Sequence, residues 1–243
     1  MSNKVVLIDC GANIGGSVNY FRNQFKDREM FTYAFECDPL NVKILNKVFE
    51  GDKNIQIFNK GVWIEDTKMD MVLERWWGYK NGSVHCGAQT SSTLIKGKKN
   101  TPRYSVDSSC KFEVKLIDLE KWLLNNLSEN DHNILKIDVE GAEYKIFPKL
   151  LKNDKLVSII DEWKVELTSA GRFVGDDINH ETYRNLETTA KSVLGDKFIN
   201  WTQDIEEWNN EIKDKILKEK TGKNFHEFCI EDPTYHSGNE YKI

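Results

Sequence analysis

The stretch Val5-Val6-Leu7-Ile8-Asp9-Cys10-Gly11-Ala12-Asn13-Ile14-Gly15-Gly16 decides the reading of this chain. An apolar run ends in an acid, and glycines follow at 11, 15 and 16. That pattern is a buried strand, a tight turn and the start of a helix. Glycine serves where the backbone takes positive φ or a ligand approaches closely. The helix that follows presents unpaired N–H groups at its start. In open α/β sheets ligands sit at the carboxyl ends of strands. The segment therefore points to a nucleotide-type cofactor, although alone it is also readable as a purely structural turn.

The spacing narrows the choice. G-x-x-x-G-G differs from the G-x-G-x-x-G of dinucleotide binders, and no Lys follows Gly16 as in a phosphate loop. Asp9 would repel a pyrophosphate. It suits a ligand with an ammonium group and hydroxyls, as S-adenosyl-L-methionine has.

Working outward, strand and helix signals alternate, the signature of a parallel sheet with helices on both faces. Strands are expected at Lys4–Asp9, Phe31–Phe35, Ile55–Phe58 and Ile134–Asp138, and a last one at Lys197–Trp201. Helices are expected from Gly15 to Phe25, after Asp38-Pro39, after Asp118, and from His180 to Leu194. Asp is a good N-cap and Pro suits the first helical position. Pro148 is expected to interrupt a short helix or start a second turn. Leu156–Ile160 reads as an apolar strand running on through Glu162 to Glu166. Two short strands, Val62–Ile64 and Met69–Leu73, precede a long irregular stretch that ends near Lys111. The expected organisation is a domain over residues 1–202, with an insertion at about 65–111, and a helical extension over 203–243. Ile205, Trp208, Ile212, Ile216 and Leu217 form a stripe in that extension, suited to packing on the domain or to a homodimer surface.

The chain has 243 residues, 39% hydrophobic and 30% charged, with net charge −5. This is a globular composition without the basic footprint of a nucleic-acid binder. Five scattered cysteines lack C-x-x-C spacing and read as free thiols in a reducing, cytoplasmic setting. No apolar run is long enough for a membrane span.

Three groups of residues carry chemistry. Glu36, 27 residues after Asp9 at the end of the second strand, is placed to accept hydrogen bonds from ribose hydroxyls. Lys136 and Asp138 lie two apart on a strand and share a face. A lysine inside a core strand needs a carboxylate, and Asp9, Asp161 and Glu162 are candidates. Asp138 stands at the strand's carboxyl end, where a reacting group belongs, with Glu140 and Glu143 next to it in sequence. The insertion mixes Arg75, Trp76, Trp77, His85, Ser92 and Thr93, a set suited to a sugar or a planar ligand.

Together these residues resemble the FkbM-type S-adenosylmethionine-dependent methyltransferases. IDCGANIGGSV, FECDP, Asn59-Lys60-Gly61, Ser91-Ser92-Thr93-Leu94, Ile117-Asp118-Leu119 and LKIDVEGAEY occur in family order over roughly residues 4–165. The resemblance implies an α/β class I methyltransferase (Rossmann-like) fold: a seven-stranded, mostly parallel sheet with a late antiparallel strand, flanked by helices. It implies S-adenosyl-L-methionine as cofactor, with Asp9, Gly11, Ala12, Asn13 and Gly15 around its methionine part. Glu36 would serve the ribose, Asn59 and Gly61 the adenine side, and Asp138 the reacting end. It also implies methylation of a hydroxyl on a sugar, glycan or natural product. The chain begins close to its first strand, so a lid is expected from the insertion, the Thr168–Asn179 loop or the tail.

For the chemistry, Asp138 is expected as base or orienting group, with Lys136 tuning it and Glu140 or Glu143 next. His85 and His180 are more distant options. Trp76, Trp77, His85, Ser92, Glu143 and Glu162 are the candidate acceptor contacts, and no metal is assigned, since Asp138 and Glu162 read as a simple pair. A nucleic-acid methyltransferase and a non-catalytic binding module on the same fold are the rival classes. The acidic balance and the lack of an N-P-P-[YF] motif after Ile137 weigh against the first.

Overall fold

Val5, Leu7 and Ile8 are fully buried, and so are Ile134, Leu135 and Ile137. Strands apolar on both faces must lie in the middle of a sheet covered on both sides, and they do. The computed structural model describes residues 4–80, 83–86, 94, 104–168, 178–202, 205–231 and 241–242. Within these, β1 (Lys4–Cys10) leads through the glycine turn to α1 (Gly16–Gln24). Next come β2 (Glu29–Glu36), α2 (Pro39–Val48) and β3 (Ile55–Asn59). The Asp38 side chain caps α2, accepting from the backbone N–H groups of Leu40 and Asn41, as an Asp-Pro start dictates.

The chain then forms β4 (Gly61–Trp63), β5 (Thr67–Lys80), β6 (Ser83–Cys86) and β7 (Tyr104–Asp118). Next are α3 (Leu119–Asn126), β8 (His132–Ile137), α4 (Glu143–Leu150), α5 (Asp154–Ile159) and β9 (Glu162–Val165). They are followed by α6 (His180–Leu194) and β10 (Phe198–Asn200). The tail holds α7 (Glu206–Glu211), a π-helical turn over Ile212–Ile216, α8 (Leu217–Thr221), α9 (Phe225–Ile230) and the short β11 (Tyr241–Lys242).

The main sheet runs β10-β9-β8-β1-β2-β3, and every pairing in it is parallel. It thus has six strands where seven were expected, and the antiparallel strand is not among its described members. Trp201 donates its N–H to the Val165 carbonyl, extending the parallel β9–β10 ladder. The tail beyond is helical and packs on α1 and α2.

A second sheet, β11-β6-β5-β7-β4, accounts for much of the stretch read as irregular. Strands β5 and β7 pair antiparallel from Thr67↔Leu116 to Trp76↔Tyr104, with a register shift between Val72 and Glu74. The shift breaks the alternation that would mark one long strand in sequence.

Two local expectations are corrected. Leu156–Ile160 is mostly helical, because Asn153 caps α5 by accepting from the Leu156 N–H; short apolar runs do not distinguish helix from strand. Pro148 lies inside α4 without ending it, since Ile146, Phe147 and Leu150 anchor that helix in the core.

The core has two sides. One gathers Phe147, Trp163, Leu119, Leu123 and the inner residues of β7 to β9. On the other, Ala12, Ile14, Val18, Ile44 and Leu45 receive Ile212, Leu217 and Cys229 from the tail. Part of the tail's apolar stripe is therefore buried against its own chain. Among the described residues, no helix is long and apolar enough to cross a membrane.

Two glycines separate clash from strain. Gly11 has φ +85°, and a Cβ there would lie 1.9 Å from the Asp138 carbonyl oxygen, so strand ends β1 and β8 touch through it. Gly51 has φ +82° with nothing within 4 Å of the added atom. Gly51→Ala is expected to cost about 1–2 kcal/mol in chemical denaturation, the strain alone. Gly11→Ala is expected to lose more than about 4 kcal/mol; equal losses at both sites would contradict the assigned contact.

Candidate functional site

The carboxyl ends of β1, β2 and β8 open into a cleft of about 1060 Å³, its mouth included. Its floor rests on Lys136, whose side chain is 1% exposed. The ammonium donates to the Gly11 carbonyl at 2.9 Å and pairs with Asp9 Oδ1 and Asp138 Oδ2, each at 3.2 Å. Burial by itself would depress its pKa; the charges of Asp9 and Asp138 outweigh burial and raise it. Asp9 is fully buried and also accepts from the Ser17 hydroxyl at 2.5 Å. The lysine's partners are therefore Asp9 and Asp138, not Asp161 or Glu162.

Glu36 forms the side wall. Its Oε1 accepts from the N–H groups of Cys37 and Asp38, and its Oε2 from that of Asn13, all at 2.8 Å. Asn13 reaches this position with φ 50° and accepts the Ile14 N–H on its own side chain. Burial raises the Glu36 pKa to about 7, against the lowering effect of those three N–H groups. A carboxylate has about four lone-pair sites, so acceptor capacity is left for a group in the cleft.

Phe35, Cys37, Val62, Met71 and Leu94 make an apolar wall beyond Glu36. Phe35 stacks on Phe58 with ring centroids 4.6 Å apart. Gly61 keeps this wall tight, since a Cβ would lie 2.6 Å from Leu116 Cδ2.

The cleft brings together Gly11, Asn13, Glu36, Gly61, Lys136, Asp138 and Glu140 from the sequence-derived set. Other members stand off its wall. Asp9 and Ala12 are buried beneath the turn, and Gly15 faces Phe49 of the helix α2 side. Asn59 is exposed at the end of β3. Glu143 is fully buried and clamps two backbone N–H groups, Gly141 at 2.7 Å and Thr168 at 2.8 Å. Burial raises its pKa to about 7.

Glu162 lies at the amino end of β9, away from the cleft, paired with His132 and Lys164 at 2.9 and 2.8 Å. Its expected acceptor contact fails because β9 starts at Glu162 rather than six residues earlier, and the same placement separates it from Asp138. Exposed His180 starts α6 and does not line the cleft. The backbones of Trp76, Trp77 and His85 lie in β5 and β6, but their side chains, like Ser92 as a whole, fall outside the described residues.

Glu166, Ile205 and Asn209 line the cleft although none was among the expected site residues. Glu166 follows β9 directly, donates its N–H to the Ile137 carbonyl at 2.8 Å, and so stands beside Asp138. Burial raises its pKa to about 8; Asp138, Glu140 and Glu143 add to this and Lys136 opposes it. An acid just past a strand's carboxyl end was the available signal, hidden by the misplaced strand start.

A family model described as the methyltransferase FkbM domain matches residues 9–211. The chain belongs to the FkbM methyltransferase family. The match contains the whole glycine turn, Glu36, β8 and the start of the tail. One similar solved structure is the methyltransferase FkbM from Methylobacillus flagellatus KT: 13% identity, TM-score 0.47, covering 81% of this chain. The chain spans 39% of that protein's length. A comparison with curated proteins gives no match.

In this FkbM-family chain the Lys136 network has a measurable weight. Lys136→Met leaves Asp9 buried without its cation, an expected loss of about 3–5 kcal/mol in urea denaturation. Combining it with Asp9→Asn should recover part of that loss; additive losses would contradict a direct pair.

Proposed function

We propose that this chain uses S-adenosyl-L-methionine to methylate a hydroxyl group on a neutral acceptor such as a sugar, glycan or natural product. The observation that carries this reading is the placement of Glu36, Asp138 and Glu166 around one cleft at the strands' carboxyl ends. The residues fit the cofactor. Glu36 has acceptor capacity for ribose hydroxyls, the Phe35–Leu94 wall suits a planar base, and the Gly11–Asn13 turn faces the remaining end. S-adenosyl-L-methionine, when bound, supplies a methyl group on a positively charged sulfur.

The chain's own residues would do the rest. Asp138, fixed by Lys136, holds the acceptor hydroxyl in place, which is positioning catalysis. Glu166, its pKa raised to about 8 by burial and the neighbouring acids, takes the hydroxyl proton as the oxygen attacks. Among the described cleft residues Glu36, Asp38, Asp138, Glu140 and Glu166 are acids, against the single ammonium of Lys136. Such a lining favours a neutral acceptor and disfavours a phosphodiester backbone.

Two outcomes are expected. In its ionised form Glu36 accepts from ribose hydroxyls, and with a pKa of about 7 that form is lost as pH falls. Calorimetric affinity for S-adenosylhomocysteine should therefore fall by up to about tenfold per pH unit below 7. An affinity flat between pH 8 and about 5.5 contradicts the ribose role.

The second concerns turnover, followed as S-adenosylhomocysteine release over a panel of hydroxyl acceptors. The wild-type rate should rise with pH and reach half of its plateau near pH 8. Glu166→Gln should lose about 10²–10⁴-fold in kcat together with that pH dependence, while cofactor affinity holds. If Asp138→Asn abolishes the pH dependence and Glu166→Gln keeps it, the two roles are exchanged.

A further inference from the structure

The tail enters the cleft. Ile205 and Asn209, at the start and middle of the α7 region, line it together with Gly11, Asn13 and Ser17 of the β1 turn. Helix α7 packs on α1, and just beyond it the fully buried Ile212 and Leu217 anchor the tail among Val18, Ile44 and Leu45. The contact is close because Gly16 opens α1: a Cβ there would lie 2.1 Å from Asn209 Oδ1. That oxygen is buried and has no hydrogen-bond partner among the described residues. Buried polar atoms are nearly always satisfied, and the amide that carries this one belongs to a residue lining the cleft, so a ligand atom there is the partner it lacks.

The ligand end it faces follows from the site. Glu36 and the apolar wall occupy the β2–β3 side, and Asn209 stands at the β1 turn, on the opposite side. The lining there is poor in free cations, since Lys136 is committed to Asp9, Asp138 and the Gly11 carbonyl. A carboxylate entering this end therefore needs neutral N–H donors, and an ammonium beside it needs an acceptor. A primary amide supplies both.

We propose that Asn209 of the tail binds the amino-acid end of the cofactor, its amide facing the ammonium and carboxylate, so that the tail is a wall of the cofactor site. This rests on the S-adenosyl-L-methionine reading above.

The test compares two compounds by calorimetry on the full chain. S-adenosylhomocysteine carries the amino-acid end; 5′-methylthioadenosine has the same nucleoside and lacks it. Asn209→Ala should weaken S-adenosylhomocysteine about tenfold or more and leave 5′-methylthioadenosine unchanged. Gly16→Ala, which pushes Asn209 aside, should show the same selective loss, with thermal unfolding confirming that each variant folds. Equal affinity of Asn209→Ala and wild type for S-adenosylhomocysteine overturns the inference alone. Parallel loss of both compounds also overturns it, because Asn209 would then only support packing. If wild type binds neither compound, the cofactor reading itself falls and takes this inference with it.

Discussion

A single buried ammonium ties the architecture to the site. Lys136, on β8, stands opposite Asp9 of the neighbouring parallel strand β1 and binds that carboxylate, Asp138 just beyond the end of β8 and the Gly11 carbonyl just beyond the end of β1. An isolated charge at that depth would be prohibitive for Lys136 and for Asp9 alike. The two are stable only as a pair, which Asp138 joins from the cleft side, and this fixes the relative height of the two strand ends. That height sets where the glycine turn meets the Asp138 backbone and where Asp138 emerges into the cleft.

The remaining walls hang from this frame by backbone contacts more than by side-chain pairs. Glu36 gathers three N–H groups from two loops and so fixes the β2 exit against the β1 turn. Glu143 does the same for the turn after β8 and the chain beyond β9. Both carboxyls carry raised pKa values because burial costs more than their N–H partners return. Glu166 shares that shift and has no such clamp among the described residues, in keeping with the base role proposed for it.

Much of this was legible in the chain itself. The glycine turn, the Asp38-Pro39 start, the capping Asp118 and the apolar runs of β1 and β8 are local signals with local causes, and their elements stand where those signals put them. Lys136 in an apolar strand announced a buried pair. What stayed illegible depends on partners distant in sequence. The β5–β7 ribbon joins residues with a shifted register, so its alternation is broken. Helix α5 reads as strand in the sequence because six residues of mixed apolar pattern fit either, and a strand there puts Glu162 rather than Glu166 just past its carboxyl end. Asn209 lies among acids and lysines on a short helix; only its meeting with Gly16 sets it apart.

That meeting bears on how the molecule is made. The cleft's walls come from Gly11 near one end of the described chain and from Asn209 almost two hundred residues later. Chains fold progressively as they leave the ribosome. Every described strand of the main sheet has been synthesised once Asn200 is added, yet the wall at the β1 turn is still open. Completion of the sheet and completion of the pocket are therefore separate events in the life of a nascent chain, and the second waits for α7 to emerge and dock.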